Sequence, residues 1–128
     1  MFLTSEALAK EITLINSKGE AIAYIDTDDE LTIYLWKGKP VAYIEDGSVW
    51  GFNGKHLGWF EEGIIWDRKG FAAGAIPSAV SIIAKIEPIK GIQQIAPIKA
   101  IQQIAPIQPI HKQKWSAIPL SVFLSQGR

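Results

Sequence analysis

Few side chains in this sequence could do chemistry, and they are scattered. The chain holds two histidines, His56 and His111, and no cysteine. Imidazole is the usual acid, base or metal ligand near neutral pH. These two lie far apart, one beside a predicted turn and one at the end of an apolar tail, so neither reads as a ligand or a catalyst. The run Asp26-Thr27-Asp28-Asp29-Glu30 could offer carboxylate oxygens to a hard cation. It lacks the glycine and the distal glutamate of an EF-hand loop, and reads as a solvated loop. Glu61-Glu62 with Asp67 could serve acid–base work, but Glu45-Asp46 fills the same place in a neighbouring repeat, which points to turn chemistry. No serine or threonine sits in a recognisable nucleophile motif, and no glycine-rich loop precedes a helix. Trp36, Trp50, Trp59 and Trp66 form a candidate binding face for a sugar or peptide, or else the core of a small β domain. Lys85, Lys90, Lys99, Lys112 and Lys114 could meet phosphates or anionic lipid. Spread thinly and without aromatics between them, they read as a solubilising edge. The expectation is a non-enzymatic chain with no metal and no cofactor.

The elements that would position these groups come from the wider sequence. The 128 residues are 48% hydrophobic and 20% charged, too apolar for a disordered chain. Formal net charge is zero, which argues against a nucleic-acid binder. The zero hides a split: residues 1–77 carry 7 basic and 12 acidic groups, residues 78–128 carry 6 and 1. Aromatics divide at the same place, since none falls between 72 and 114. No basic-then-apolar leader and no 18-residue apolar stretch is seen, so a cytoplasmic location without a transmembrane segment is expected. A short helix is conceivable over 5–12, capped by Thr4 or Ser5, in competition with a strand starting near Ile12.

Residues 1–77 contain a fourfold repeat. With Gly19, Gly38, Gly54 and Gly70 in register, an aliphatic follows three positions later (Ile22, Val41, Leu57, Ala73), then a small residue (Ala23, Ala42, Gly58, Gly74). An aromatic comes next in three of four (Tyr24, Tyr43, Trp59, with Ala75 the exception), then Ile25, Ile44, Phe60 or Ile76. Each unit reads as a β-hairpin turning at its glycine. Two-residue turns are expected at Lys37-Gly38 and Asn53-Gly54, with longer turns over 16–19 and 67–70. Glu45-Asp46-Gly47 and Glu61-Glu62-Gly63 make the returns between units. The small column suggests close backbone approach near a central axis. One hairpin is marginal alone, but four sharing apolar faces can build a core.

The second segment, 78–114, is an isoleucine stripe. Ile83, Ile86, Ile89, Ile92, Ile95, Ile98, Ile101, Ile104, Ile107 and Ile110 recur in strict period three, and Ile92–Ala100 is nearly repeated from Ile101. An α-helix would scatter such a stripe and its prolines would break the helix. A strand would send alternate members to opposite faces. Polyproline II, with three residues per turn, lines all ten along one edge. Straight, residues 83–110 would span roughly 85 Å, against a radius of gyration of about 11–12 Å for the first domain. The tail must therefore bend over its own domain, bundle with other tails, or meet a protein or lipid partner. Bundling in a homo-oligomer is the preferred reading, and the isoleucines are its packing stripe. The closing segment 115–128 could set Trp115, Leu120, Phe123 and Leu124 on one apolar surface as a docking lock.

Four glycine-turn hairpins, then a proline-interrupted tail with an aliphatic at every third residue, then Trp115-Ser116 and Leu120-Ser121 ahead of Leu124, resemble the four-fold β-flower family of small bacterial proteins. The resemblance covers about 12–124 and implies an all-β fold of four hairpins around a pseudo-fourfold axis, followed by an extended tail. It carries no established activity. The tail departs from the family in using Ile-Gln-Gln-Ile-Ala-Pro where denser proline repeats are usual. The functional expectation is a structural or assembly protein that homo-oligomerises through its tail. The alternative is a binding module for a glycan, peptide or membrane surface, using the Trp/Tyr face or the tail. Truncation after about residue 80 is then expected to give a monomer.

Overall fold

Each repeat folds as a hairpin because a short run of β-branched and aromatic residues is followed by a glycine free to take positive φ. The computed structural model describes residues 10–128. Eight strands run in sequence order: β1 (Glu11–Ile15), β2 (Ala21–Asp26), β3 (Thr32–Leu35), β4 (Pro40–Glu45), β5 (Ser48–Gly51), β6 (His56–Glu61), β7 (Ile64–Trp66) and β8 (Ala72–Ala75). Every strand pairs antiparallel with the next, and β8 returns to β1 through Ile15 and Ala75, closing a barrel. Closure leaves no sheet edge to pair with another chain. Of the helix expected over 5–12, residues 5–9 lie outside the described residues, while Glu11 and Ile12 belong to β1.

Two of the four glycine turns, at Lys37-Gly38 and Asn53-Gly54, are longer than the two-residue loops expected. All four glycine turns carry the same two main-chain bonds, for example Gly38 N–H to the Leu35 carbonyl and Leu35 N–H to the Lys39 carbonyl. They are therefore three-residue loops (17–19, 36–38, 52–54 and 68–70), each ending on a left-handed glycine, the second commonest hairpin design. The two-residue turns lie at the opposite end of the barrel. There Asp46-Gly47 and Glu62-Gly63 have positive φ at both positions, as a type I′ turn requires.

The repeat columns acquire a structural meaning from a β-bulge that recurs in all four hairpins. Leu14 faces Ala23 and Ile15 faces Ala21, so Ile22 is the extra residue; Val41, Leu57 and Ala73 occupy the same place in the other units. The bulge turns both the aliphatic and the small residue that follows it towards the interior. The small column meets the C-terminal segment there. Helix α1 (Leu120–Leu124) enters the barrel from its glycine-turn end, with Leu120, Phe123 and Leu124 0–2% exposed. A Cβ on Gly58 would stand 3.1 Å from the Phe123 ring, and one on Gly74 would stand 2.7 Å from a Leu120 methyl. Gly51 and Gly127 pack backbone to backbone, and Asn53 N–H donates to the Gly127 carbonyl at 3.0 Å. The core is thus one cluster in which barrel residues such as Leu14, Ile25, Ile33, Val49 and Ile65 surround a plug from the far end of the chain.

Between β8 and α1 the chain leaves the sheet. A 3-10 turn (Pro77–Ala79) leads it back across the barrel to Gly19, and residues 83–112 then circle the outside with no helix or strand.

Candidate functional site

The outside of the barrel is aromatic where the hairpins meet. Tyr24 of β2 pairs with Tyr34 of β3, Tyr43 of β4 with Trp50 of β5, and Trp59 of β6 with Trp66 of β7. Alternation along a strand forces this, since the neighbours of each aromatic point into the core. At the fourth junction the pair is Ile15 and Ala75, without an aromatic. That accounts for Ala75 in the repeat: the chain crosses at this seam, with the 3-10 turn packed against β1.

The tail covers the three aromatic junctions as a belt held at four points. The amides of Lys85, Gln94, Gln103 and Lys112 donate to the carbonyls of Gly19, Gly38, Gly54 and Gly70, at 2.8, 2.9, 2.8 and 2.8 Å. Nine residues separate each clamp from the next. At the same four glycines a Cβ would come within 2.0–2.5 Å of the carbonyl oxygens of Ile83, Ile92, Ile101 and Ile110. These glycines are thus required twice, for the left-handed turn and for the approach of the belt. The stripe divides into three units, Ile83–Gly91, Ile92–Ala100 and Ile101–Pro109, with isoleucine at positions one, four and seven and proline at position six.

Between clamps, the inward residues of each unit meet the junction beneath. Lys90 Nζ lies 4.6 and 4.9 Å from the ring centres of Tyr24 and Trp36 and 2.6 Å from Glu11 Oε1. Trp36 Nε1 donates to the Pro88 carbonyl at 2.9 Å. One unit on, Lys99 Nζ lies 4.3 Å from the Tyr43 ring and 2.8 Å from Glu30 Oε1. The Gln102 amide donates to Tyr43 Oη at 3.1 Å. Just before the fourth clamp His111 stacks on Trp66, centroids 3.8 Å apart, within 3.5 Å of Glu61 Oε1. The acidic barrel and the basic tail therefore meet in direct pairs, which Lys85 and Glu20 extend at 3.8 Å. The Asn16 side chain first, and Lys85 second, hold the Glu20 carboxyl below its ordinary range; Lys99 does the same for Glu30.

Trp36, Trp50, Trp59 and Trp66 are only 5–8% exposed and face the belt or each other's neighbours rather than a free cleft. The acidic run is tied down: Asp26 accepts from the Asp28 amide and from the Gln93 side chain, Tyr34 donates to Asp29, and Glu30 holds Lys99. Burial, reinforced by the bond to Asp29, raises the Tyr34 phenol well above its usual range. Asp67 closes its own loop by accepting from the Lys69 and Phe71 amides at 2.9 Å. His56 is fully buried between Trp50 and Trp59, with Nε2 3.1 Å from Ser48 Oγ. Its Nδ1 has no hydrogen-bond partner. Burial chiefly, with Arg68 nearby, holds it below the ordinary histidine range, hence neutral. Among the described residues no cluster of three His, Asp or Glu side chains is placed to hold a metal ion. None of their helices is long and apolar enough to cross a membrane.

What the belt leaves outside is its stripe. All ten isoleucines point to solvent, each 89–98% exposed. At roughly 60–120 Å² of apolar side chain each, from about 1.5–3 kcal/mol at about 25 cal/mol/Å², they total roughly 600–1,200 Å². The largest apolar patch on a typical monomer is about 300–600 Å². The outward aromatic column of β3, β5 and β7 (Tyr34, Trp50 and Trp66) does not show in the glycine-aligned repeat. The nine-residue repeat read at Ile92–Ala100 and again from Ile101 extends back to Ile83, as the spacing of Pro88, Pro97 and Pro106 shows.

Fold and surface together define an all-β barrel whose conspicuous feature is an apolar girdle rather than a cleft. The chain belongs to the 4-fold beta flower protein family, whose sequence model spans residues 12–124. No curated protein and no solved structure matches it.

Proposed function

We propose that this protein is a non-enzymatic assembly component that joins copies of itself through the isoleucine belt. The observation that carries this reading is the exposure of all ten isoleucines in one regular row. Burying them is worth roughly 15–30 kcal/mol as an upper bound, at about 1.5–3 kcal/mol each. Zero net charge supports the reading too, because nothing in the overall charge opposes close approach of like molecules. A glycan or peptide module built on the tryptophans has less support, since the chain's own tail occupies that face.

Truncation is a poor test, because removing residues beyond 80 would also remove Leu120, Phe123 and Leu124 from the core. The test is light scattering on the full chain against a variant with Ile86, Ile89, Ile95, Ile98, Ile104 and Ile107 changed to lysine. The parent is expected to show a mass well above 14.1 kDa and the variant a monomer, with unchanged circular dichroism. A parent that stays monomeric at high concentration refutes the proposal.

A further inference from the structure

We infer that the belt makes this chain a three-sided block that assembles, with further copies of itself, into a ribbon two molecules wide. The inference rests on the self-assembly reading above and specifies its geometry. The clamps divide the stripe into three edges, Ile83 to Ile92, Ile92 to Ile101 and Ile101 to Ile110, each about 28 Å long at polyproline II rise. Four clamps, one per hairpin of a closed barrel, set the first and third edges on opposite sides, with the second between them. The fourth side, from Ile110 back to Ile83, carries none of the stripe.

Size decides against a simple dimer. With its shared corners an edge holds four isoleucines, roughly 400 Å² of apolar side chain at about 100 Å² each. A stable interface buries about 800 Å² per partner. One edge therefore holds two copies only weakly, at high concentration, whereas a molecule that meets several neighbours through several edges at once is held far longer. The edges are also nearly equivalent, since all three units place isoleucine and proline at the same positions. Isoleucines about 9 Å apart along one edge leave gaps that the same row on another copy fills. Docking through the opposite first and third edges extends a row that never closes on itself. The second edge joins two such rows, and the stripe-free fourth side then faces outward on both and ends lateral growth.

The experiment uses the full chain with sedimentation velocity over a concentration series and negative-stain electron microscopy. Variants I95K/I98K on the second edge and I86K/I89K on the first are compared. These positions are exposed in the single chain, so circular dichroism and tryptophan fluorescence should stay as in the parent. The parent should pass from monomer to ribbons of constant width with no dimer plateau. I95K/I98K should give rows of half that width, and I86K/I89K only particles of two to four copies. A closed oligomer of fixed size, sheets growing in two directions, or ribbons unchanged in I86K/I89K would overturn the ribbon while leaving self-assembly standing. A parent that is monomeric at every concentration, including one that sediments only with phosphatidylcholine vesicles, would overturn both.

Discussion

Replacing Gly38 by alanine should unclip the belt, and Gly47 supplies the control. Both glycines have positive φ, +102° and +77°. Alanine in that region costs about 1–2 kcal/mol at either site. At Gly47 nothing lies within 4 Å of the added methyl, so the conformational cost is the whole effect. At Gly38 the methyl would sit 2.0 Å from the Ile92 carbonyl oxygen, which is backbone and has nowhere to go without lifting the belt. The neighbouring bonds, Gln94 N–H to Gly38 and Gly91 N–H to Trp36, would be lost with it. At about 0.5–1.5 kcal/mol each, they add roughly 1–3 kcal/mol. Urea denaturation of the two variants, followed by tryptophan fluorescence, should therefore show Gly38→Ala less stable than Gly47→Ala by that difference. Hydrogen exchange at the Gln94 and Gly91 amides should accelerate in the first variant only. Equal loss of stability in both, with Gln94 still protected, would refute the idea that the glycine column anchors the tail.

Phe123→Ala should cost about 3–5 kcal/mol, as for other buried phenylalanines, because this ring is the centre of the plug; calorimetry would show it as a lowered and broadened transition. A variant within 1 kcal/mol of the parent would mean the barrel core closes without α1. His56 gives a pH dependence whose sign is fixed: its folded form is held neutral below the unfolded pKa of about 6.5. The unfolded chain then binds more protons between the two values, so stability is fully present above about pH 6.5 and falls as pH drops below it. His56→Phe, which keeps a ring between the two tryptophans, should flatten the slope of urea midpoint against pH from 7.5 to 5, and an unchanged slope would assign it to other groups.

Much of the fold was legible because repetition amplifies weak signals. Gly19, Gly38, Gly54 and Gly70 with their trailing columns marked four hairpins, and Asp46-Gly47 and Glu62-Gly63 marked the returns. The period of three ruled out helix and strand for the stripe. Its direction was not legible. Periodicity says that ten isoleucines share an edge, not which way the edge faces, so folding over the domain, bundling with other tails and meeting a partner all stayed open. The structure instead directs Lys90, Gln93, Lys99 and Gln102 inward and satisfies them with aromatic faces and carboxylates. The turn type at Lys37-Gly38 was misread because the first residue of the three-residue loop, Trp36, looks like strand. Leu120, Phe123 and Leu124 stood out as one apolar surface, but nothing in five helical residues says that this surface enters the barrel.

The origin of the plug also bears on how the molecule comes together. The residues that complete the core, Leu120 to Leu124, stand about a hundred positions after Leu14, which they help to bury. Between them the belt must be laid around the barrel through contacts such as Thr13 to Glu87 and Glu11 to Lys90, each more than seventy residues apart. Chains dominated by such distant pairings search slowly, because loop-closure entropy is lost before the contacts reward it. Until the tail arrives, four hairpins hold a hollow interior and three bare aromatic seams, a state inviting non-native association. The native molecule is wrapped from outside and filled from within by one continuous thread, so winding and filling are steps of a single late event. Its slowest stage should be the arrival of the tail, with strand pairing long since begun.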